Sequence, residues 1–480
     1  MRLDVFLDRL QTRSVRGDTK GVVLRVTEDS RDADWQSAFV AVRGAQVDGH
    51  QYAEGIDCAL VIAEDDVQPA DGVPVAIVED SRLALAEAAS ILEGDPSHEV
   101  SLVGITGTNG KTTTSWILES ILKAAGRKVG VIGTTGHRAN QQAVGTGYTT
   151  PPAPQWQGLL RQMVDQGCEF VTAEVSSIAL ASYRVHGSRF EVGVFTNLTR
   201  DHLDFHGSME TYMASKAMLF ESYLAEGAHA VVPRVCPELD SVLERRKDLR
   251  VWRYGIEGGD VFTWEHSLDS DGTQGRVGSP GGSFVFEFPL LGAHNLKNAL
   301  AAVACSLALG VSVDAIQRGL AQLPVVPGRM EVVPNQTGIT VLVDYAHTPD
   351  ALEKALEGLR PLTKGALVVV FGCGGDRDRG KRPEMGRVAT ATADRVYATS
   401  DNPRSESPAS ILREVAVGLS DGARIIVDRK EAIESAIREA QPGDVILIAG
   451  KGHEQYQEIG GIQHSFDDRL IASQALRAAP

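Results

Sequence analysis

Short apolar runs alternate with segments of helical periodicity along most of this chain, and that alternation predicts a layered α/β protein. In the first stretch, residues 22–26, 38–42 and 59–63 read as strands and residues 81–92 as a helix. Residues 93–98 mix turn formers without any period and mark a linker. Residues 100–106 form a buried-strand run that meets Gly107. A helix follows on which Trp116, Ile117, Ile121, Leu122 and Ala125 recur. Residues 170–173 and 192–195 are apolar strands set between helical segments, and 209–220 reads as a helix. Residues 258–282, rich in Gly, Ser and Asp, predict a β-meander or surface insertion, and Pro324 and Pro327 mark a hinge. Beyond it, strands at 340–344, 366–371, 395–399, 424–427 and 445–449 alternate with helices such as 349–359 and 430–440, the pattern of a Rossmann-like sheet. The expectation is three α/β domains: residues 1–97, a central unit 98–328 with a mostly parallel sheet, and a Rossmann-like unit 329–480.

Composition narrows the class. A chain of 480 residues with 43% hydrophobic and 23% charged residues has the make-up of a soluble globular protein with ample core. A net charge of −16 and the lack of a basic run argue against nucleic-acid binding. The five cysteines, Cys58, Cys168, Cys236, Cys305 and Cys373, are scattered and contain no Cys-x-x-Cys pair. That suits reduced thiols and offers no zinc site. The N-terminal segment is amphipathic and acidic, unlike a signal peptide, and no apolar run approaches roughly 18 residues. A cytoplasmic protein without membrane insertion is expected.

The candidate chemistry starts at the strand-to-helix turn Gly107-Thr108-Asn109-Gly110-Lys111-Thr112-Thr113. Two glycines allow consecutive N–H groups to face one concavity. The helix N-terminus and Lys111 add positive charge, and the Thr112 hydroxyl suits Mg²⁺, so the turn is a cradle for nucleotide phosphates. The usual spacing would put a glycine at Ile105; here the glycine is one residue earlier, at Gly104. Glu174 stands at the end of an apolar strand, where a carboxylate can hold Mg²⁺ directly or through water. His202 lies in a loop dense in hydrogen-bonding side chains, and is either a structural histidine or a metal ligand. Lys216 falls on an apolar stripe with Tyr212, Leu219, Phe220 and Tyr223. Such a lysine ordinarily snorkels to solvent. The alternative is a neutral buried amine, which can take up CO₂ as a carbamate and become a metal-binding carboxylate. In the last domain, polar clusters at Asp344, Gly372, Asp401 and Gly450 each begin where a strand ends, so they converge on one sheet edge. Arg377 and Arg404 suit a carboxylate there, and Asp401 and Glu454 an ammonium, which together suit an amino acid.

These motifs, in this order, resemble the Mur ligase family over the whole chain: 107–113, Glu174-Val-Ser-Ser177, Asn197 to Asp204, Lys216, His294 to Asn298, Gly328-Arg-Met-Glu331, Asp344 to Pro349, Gly372 to Asp378, Asp401 to Arg404 and Gly450 to Glu454. The resemblance implies an ATP-dependent acid–amino-acid ligase of peptidoglycan precursor synthesis. Ser30, Ala45, Gln46 and Val47 would hold the uridine diphosphate end of UDP-N-acetylmuramoyl-L-alanyl-D-glutamate, with Thr149, Thr150, Ser176, Ser182 and Arg184 on its peptide end. Asn295, Arg329, Asp344 and His347 would join 107–113 around ATP. Thr112, Glu174, His202 and a carbamylated Lys216 would hold magnesium, two ions in all. Arg377, Asp401, Asn402, Pro403, Arg404, Gly450 and Glu454 would hold meso-diaminopimelate, since Asp-Asn-Pro-Arg is the form associated with that substrate. The chain departs from common family residues at Tyr148, Ile178 and Ser182. A monomer is expected. A lysine-adding or peptide-recycling relative, or a P-loop nucleotide switch, stays open as an alternative.

Overall fold

The computed structural model describes residues 1–44, 47–269 and 272–478. Among the described residues the strands form three main sheets in successive parts of the chain, plus a small hairpin. The first sheet runs in the order Ser14–Arg16, Val75–Ile77, Leu60–Ala63, Ser37–Val40, Arg25–Thr27, parallel except for its first pair. Alternate residues of its inner strands face opposite sides. Val40, Leu60 and Ile62 meet helix Ser81–Leu92 on one face, and Phe39, Val61 and Ala63 form a second core on the other. That helix starts where the Asp80 carboxylate accepts the N–H groups of Arg82 and Leu83, a cap worth about 1 kcal/mol. The strand expected at 22–26 is shorter and displaced, to Arg25–Thr27. Val22 makes only an isolated bridge to Arg2, because this edge has one neighbour and exposed Val22 and Leu24.

The central sheet has a parallel run of Val261–Asp269, Arg250–Ile256, Leu224–Pro233, Phe190–Phe195, Ser101–Thr106, Phe170–Glu174 and Val129–Ile132. Antiparallel strands extend it at both ends. On one side these are Gly272–Ser279 and Gly282–Phe288, and on the other His137–Ala139 and Gln142–Gly145. Of the two readings of the Gly-rich region, the β-meander holds, as successive antiparallel strands that extend the sheet. Helices Lys111–Ala124, Ala293–Ala308 and Val313–Ala321 cover one face, and Ala153–Asp165, Ser177–Ala181 and Met209–Met218 the other. The helix expected over 209–220 is α-helical only to Met218. A π-turn, Leu219–Tyr223, follows and buries Leu219, Phe220 and Tyr223 together.

Gly104 serves packing rather than the phosphate loop. A Cβ there would sit 2.8 Å from the Phe190 ring and 3.0 Å from Leu219. The last sheet runs Glu331–Val332, Thr340–Asp344, Val445–Ala449, Leu367–Cys373, Arg395–Ser400, Arg424–Ile425, parallel after its first pair. Its final strand is two residues long, not the expected four, because this outer edge is exposed at Ile425 and Val427. Tyr456–Ile459 and Ile462–Ser465 form the separate hairpin. Among the described residues no helix is long and apolar enough to cross a membrane.

The phosphate-loop helix is held close to Val313–Ala321 by a glycine. Ser120 Oγ donates to Gly319 O at 2.6 Å, and a Cβ on Gly319 would lie 2.4 Å from Ile121 Cα. Backbone, unlike a flexible side chain, cannot yield cheaply there. Gly319→Ala is therefore expected to destabilise the protein by about 1–3 kcal/mol. Urea unfolding reads this directly, and an unchanged midpoint would mean the two helices separate freely.

Candidate active site

The turn after strand Ser101–Thr106 is braced by the next parallel strand. Thr108 N donates to Asn197 O at 2.9 Å and Asn109 N to Asn197 Oδ1 at 3.0 Å. Thr196 Oγ1 and Asn197 Nδ2 both donate to Asn109 O. Gly107 (φ +141°) and Gly110 (φ +87°) are required by conformation and by space. A Cβ would fall 1.9 Å from Thr196 Oγ1 at the first and 2.3 Å from Asn298 Oδ1 at the second. Lys111 Nζ donates to Gly107 O and Thr108 O, both at 2.8 Å. Burial lowers the Lys111 pKa, against the opposing charges of Glu174 and Asp201.

Behind the loop stands an oxygen cluster. Thr112 Oγ1 donates to Glu174 Oε2 at 2.9 Å, and Thr134 gives Glu174 its backbone N–H (2.9 Å) and hydroxyl (3.0 Å). Thr134 was not singled out from sequence, although the run Gly133-Thr-Thr-Gly136 after a strand is the signal that marks it. Lys216 does not snorkel. It is 1% exposed, donates to Gly107 O at 2.8 Å, and lies 4.3 Å from the centre of the Tyr212 ring. Burial, and then the charge of Lys111, push its pKa well below that of an ordinary lysine. His202 has a left-handed backbone (φ 53°), and burial lowers its pKa to about 4 even though Asp201 lies 3.4 Å away. It is a neutral imidazole at neutral pH. No group of three or more His, Cys, Asp or Glu side chains suited to a metal occurs among the described residues.

The C-terminal sheet closes the other side of a cleft of about 990 Å³. Asn295 lines it on the side of 108–113, Glu174 and His202, and Arg329, Asp344 and His347 line it from the C-terminal unit. Arg329 Nη2 donates to Thr112 Oγ1 at 3.1 Å, and its guanidinium lies 4.6 Å from the centre of the Tyr345 ring. Asp344 accepts the N–H groups of Met330 and Ala346, which fixes the chain entering this edge. Buried Asp201 was also missed from sequence. Burial would raise its pKa, but His347, Lys381 and His202 outweigh that and hold it well below the usual carboxylate range. Lys381 is 3.6 Å from it and His347 3.8 Å, both from the far side of the cleft. Asn109 Nδ2 to Asp350 (3.0 Å) and Arg200 to Asp378 (3.0 and 3.3 Å) add further bonds across.

The remaining candidates fall into two groups. Thr149 and Thr150 sit against the oxygen cluster: Thr149 Oγ1 is 2.9 Å from Thr134 Oγ1, and Thr150 Oγ1 donates to Glu174 O at 2.7 Å. Arg184 Nη1 donates to Thr150 O and its guanidinium lies 5.1 Å from the centre of the Tyr148 ring. Burial lowers the Arg184 pKa, and the Tyr148 and Glu28 side chains oppose that. Ser176 and Ser182 cap the two ends of Ser177–Ala181. Val47 is exposed, and Ala45 and Gln46 lie outside the described residues. At the C-terminal edge, Asp401 is buried; Lys451 and Arg429 hold its carboxyl below the ordinary range against the effect of burial. Asn402 Nδ2 donates to Glu454 Oε2 at 2.8 Å, and Lys451 donates to both. Glu454 is thus already paired with Lys451 inside the protein, and the Asp401 carboxylate accepts the Asn402 N–H. Gly450 must lack a side chain because its Cβ would meet Asp401 Oδ2 at 2.5 Å. Arg377 and Arg404 stand on adjoining loops, and Pro403 O touches Gly375.

Residues 105–306 match the Mur ligase middle domain and residues 328–452 the Mur ligase glutamate ligase domain. A UDP-N-acetylmuramoyl-L-alanyl-D-glutamate–2,6-diaminopimelate ligase of Geobacillus thermodenitrificans is 43% identical over 489 residues, 99% of either chain. The ligase of the same name from Geobacillus kaustophilus is 44% identical over 467 residues, 95% of each. A solved structure of a ligase bearing that name superposes with a TM-score of 0.70 at 31% identity, covering 100% of this chain and 99% of the other. A MurF ligase from Thermotoga maritima, in complex with ADP, shares the fold at a TM-score of 0.64 and 22% identity, over 95% of this chain and 96% of its own.

The bonds across the cleft predict a salt-sensitive closure. Arg200 is 39% exposed, so its pair with Asp378 is screened by added salt. Arg200→Ala is expected to shift the molecule toward an open form by roughly 0.5–1 kcal/mol. Small-angle scattering at low salt then shows a larger radius of gyration, with the difference from wild type shrinking near 1 M salt. Superimposable low-salt profiles would remove Arg200 from the closure.

Proposed function

The chain belongs to the Mur ligase family, and from that premise we propose that it adds meso-2,6-diaminopimelate to UDP-N-acetylmuramoyl-L-alanyl-D-glutamate, with ATP, in peptidoglycan precursor synthesis. The observation that carries this is the two-sided cleft, with a phosphate loop and oxygen cluster on one wall and a cation-bearing sheet edge on the other, in a chain whose near-full-length relatives bear that name. Residues 1–97 would take the uridine diphosphate end, 98–328 ATP, and 329–480 the amino acid. The enzyme acts in the cytoplasm, as a monomer.

The D-glutamate side-chain carboxylate attacks the ATP γ-phosphorus and ADP leaves, giving an acyl phosphate. The diaminopimelate amine then attacks the acyl carbon, and phosphate leaves as the amide forms. Two anions must meet in the first step, so placement and positive charge supply most of the acceleration. Lys111 swings from the carbonyls of Gly107 and Thr108 to the phosphates, and Arg329 adds charge from the opposite wall. Thr149, Thr150, Ser176 and Arg184 orient the acyl donor. The Thr112 hydroxyl and Glu174 carboxylate fit Mg²⁺, a hard cation that takes one or two protein oxygens plus phosphate and water. Bound there, Mg²⁺ neutralises charge on the transferring phosphate. A second ion would use His202, neutral because it is buried, and the carbamate of Lys216. Burial and Lys111 favour the neutral Lys216 amine that carbamate formation needs. Arg404 would receive the distal carboxylate of diaminopimelate, which lysine lacks. Lysine forgoes that charge-assisted contact, a loss on the order of 2–4 kcal/mol.

Two measurements test this reading. Phosphate release by the purified enzyme, given ATP, Mg²⁺ and the nucleotide-linked dipeptide, is expected to depend on meso-diaminopimelate and to respond weakly to lysine. Equal release with either amino acid, or with none, sinks the assignment. Lys216→Ala is expected to lose at least about 100-fold in kcat, as loss of a charge-stabilising group does, with partial recovery in added formate or acetate. Full activity without such acids would exclude a carbamate.

A further inference from the structure

Arg382 opens helix Lys381–Thr392 and has no exposed side-chain surface, yet it lies away from the cleft walls. Its guanidinium donates to Glu406 Oε1 and Oε2 at 2.7 and 2.9 Å, to Glu414 Oε2 at 2.8 Å and to Gly374 O at 3.2 Å. These bonds hold the Glu406 carboxyl down at about 2. Glu406 in turn accepts the Asp376 N–H at 2.7 Å, and Asp376 accepts the N–H and hydroxyl of Ser405. One buried cation therefore ties the loop after strand Leu367–Cys373 to the loop after strand Arg395–Ser400. The tie is close: Gly375 N donates to Asn402 O at 2.9 Å, and a Cβ on Gly375 would overlap Pro403 O at 1.9 Å.

The consequence falls on Arg404. Its Nη1 donates to Gly375 O at 2.7 Å, and its Nε lies 3.3 Å from Glu458 Oε2. Its backbone, at φ 51°, is gripped by the hairpin through Arg404 N to Glu458 O and Gly460 N to Arg404 O. The direction of the guanidinium is set by Gly375 O on one side and Glu458 on the other, and Gly375 is located by Arg382. We propose that Arg382 is the positioning residue for amino-acid selection: it never touches the ligand but aims Arg404 by fixing the Gly374-Gly375 carbonyls. This rests on the reading that Arg404 receives the distal carboxylate. A bidentate fork shared between two carboxylates and a carbonyl is a task a lysine's point charge performs poorly.

The test is Arg382→Lys in the full-length enzyme, assayed by phosphate release with each substrate varied in turn. The expected result is a rise of about tenfold in KM for meso-diaminopimelate, KM for ATP and for the nucleotide-linked dipeptide within twofold of wild type, and a narrowed preference over lysine. A folded variant with unchanged diaminopimelate KM, or with all three KM values and kcat shifted together, overturns the proposal. If Arg382→Lys does not fold by circular dichroism, Glu406→Ala, a change at a partly exposed residue, decides by the same criteria. A wild-type enzyme indifferent to diaminopimelate overturns the functional reading itself. A dependent wild type with an unaffected variant overturns only the role of Arg382.

Discussion

Two lysine side chains, Lys111 and Lys216, donate to the same backbone oxygen, Gly107 O, each at 2.8 Å. The rest of the site follows from that crowding. Two ammonium charges a few ångströms apart repel by about 4 kcal/mol at the effective dielectric of a protein surface, and by more when buried. They cannot both stay ionised at ordinary cost. Lys111 lines the cleft and can meet incoming anions, whereas Lys216 is sealed behind the loop, where burial and then the charge of Lys111 push its pKa well down. Gly107, with φ +141° and no room for a Cβ beside Thr196, presents its carbonyl to both lysines, one of them 109 residues away.

Much of this was legible beforehand, and the limit has a physical form. Strand ends, the phosphate loop and the apolar stripe holding Lys216 are local patterns, and local patterns survive folding. Glu174 stands at a strand end paired with Ile105, and Asp344 at one paired with Ala449. What could not be read was pairing across distance. Nothing near Asp201 in sequence announces Lys381, and nothing near Arg382 announces Glu414 or Gly374. Gly104 looked like a misplaced loop glycine because its reason, Phe190, is on a neighbouring strand. Asp401 and Glu454 looked like free acceptors because Lys451 and Arg429, which engage them, are ordinary residues until the sheet closes.

The same distinction explains how a chain of net charge −16 can serve anionic substrates. Formal charge is a sum over the surface, while binding is decided by the few groups that face one space. Lys111 and Arg329 face that space with Glu174 and Asp201, and both carboxylates already have partners in Thr112, Thr134, His347 and Lys381. Their charge is locally answered, so they orient cations without repelling a phosphate outright.

Backbone strain completes the argument at the amino-acid edge. A left-handed conformation costs a residue with a side chain roughly 1–2 kcal/mol, and Arg404 adopts it at φ 51°. Two backbone hydrogen bonds from the hairpin Tyr456–Ile459 and Ile462–Ser465 hold it there, and that hairpin is a strand of none of the three main sheets. Strain of this size persists only where surrounding structure overdetermines it. A free arginine side chain would lose about 2 kcal/mol of rotamer freedom on binding a carboxylate. Here much of that loss is taken during folding, through Gly375 O and Glu458, so the guanidinium is held in one direction before any anion reaches it.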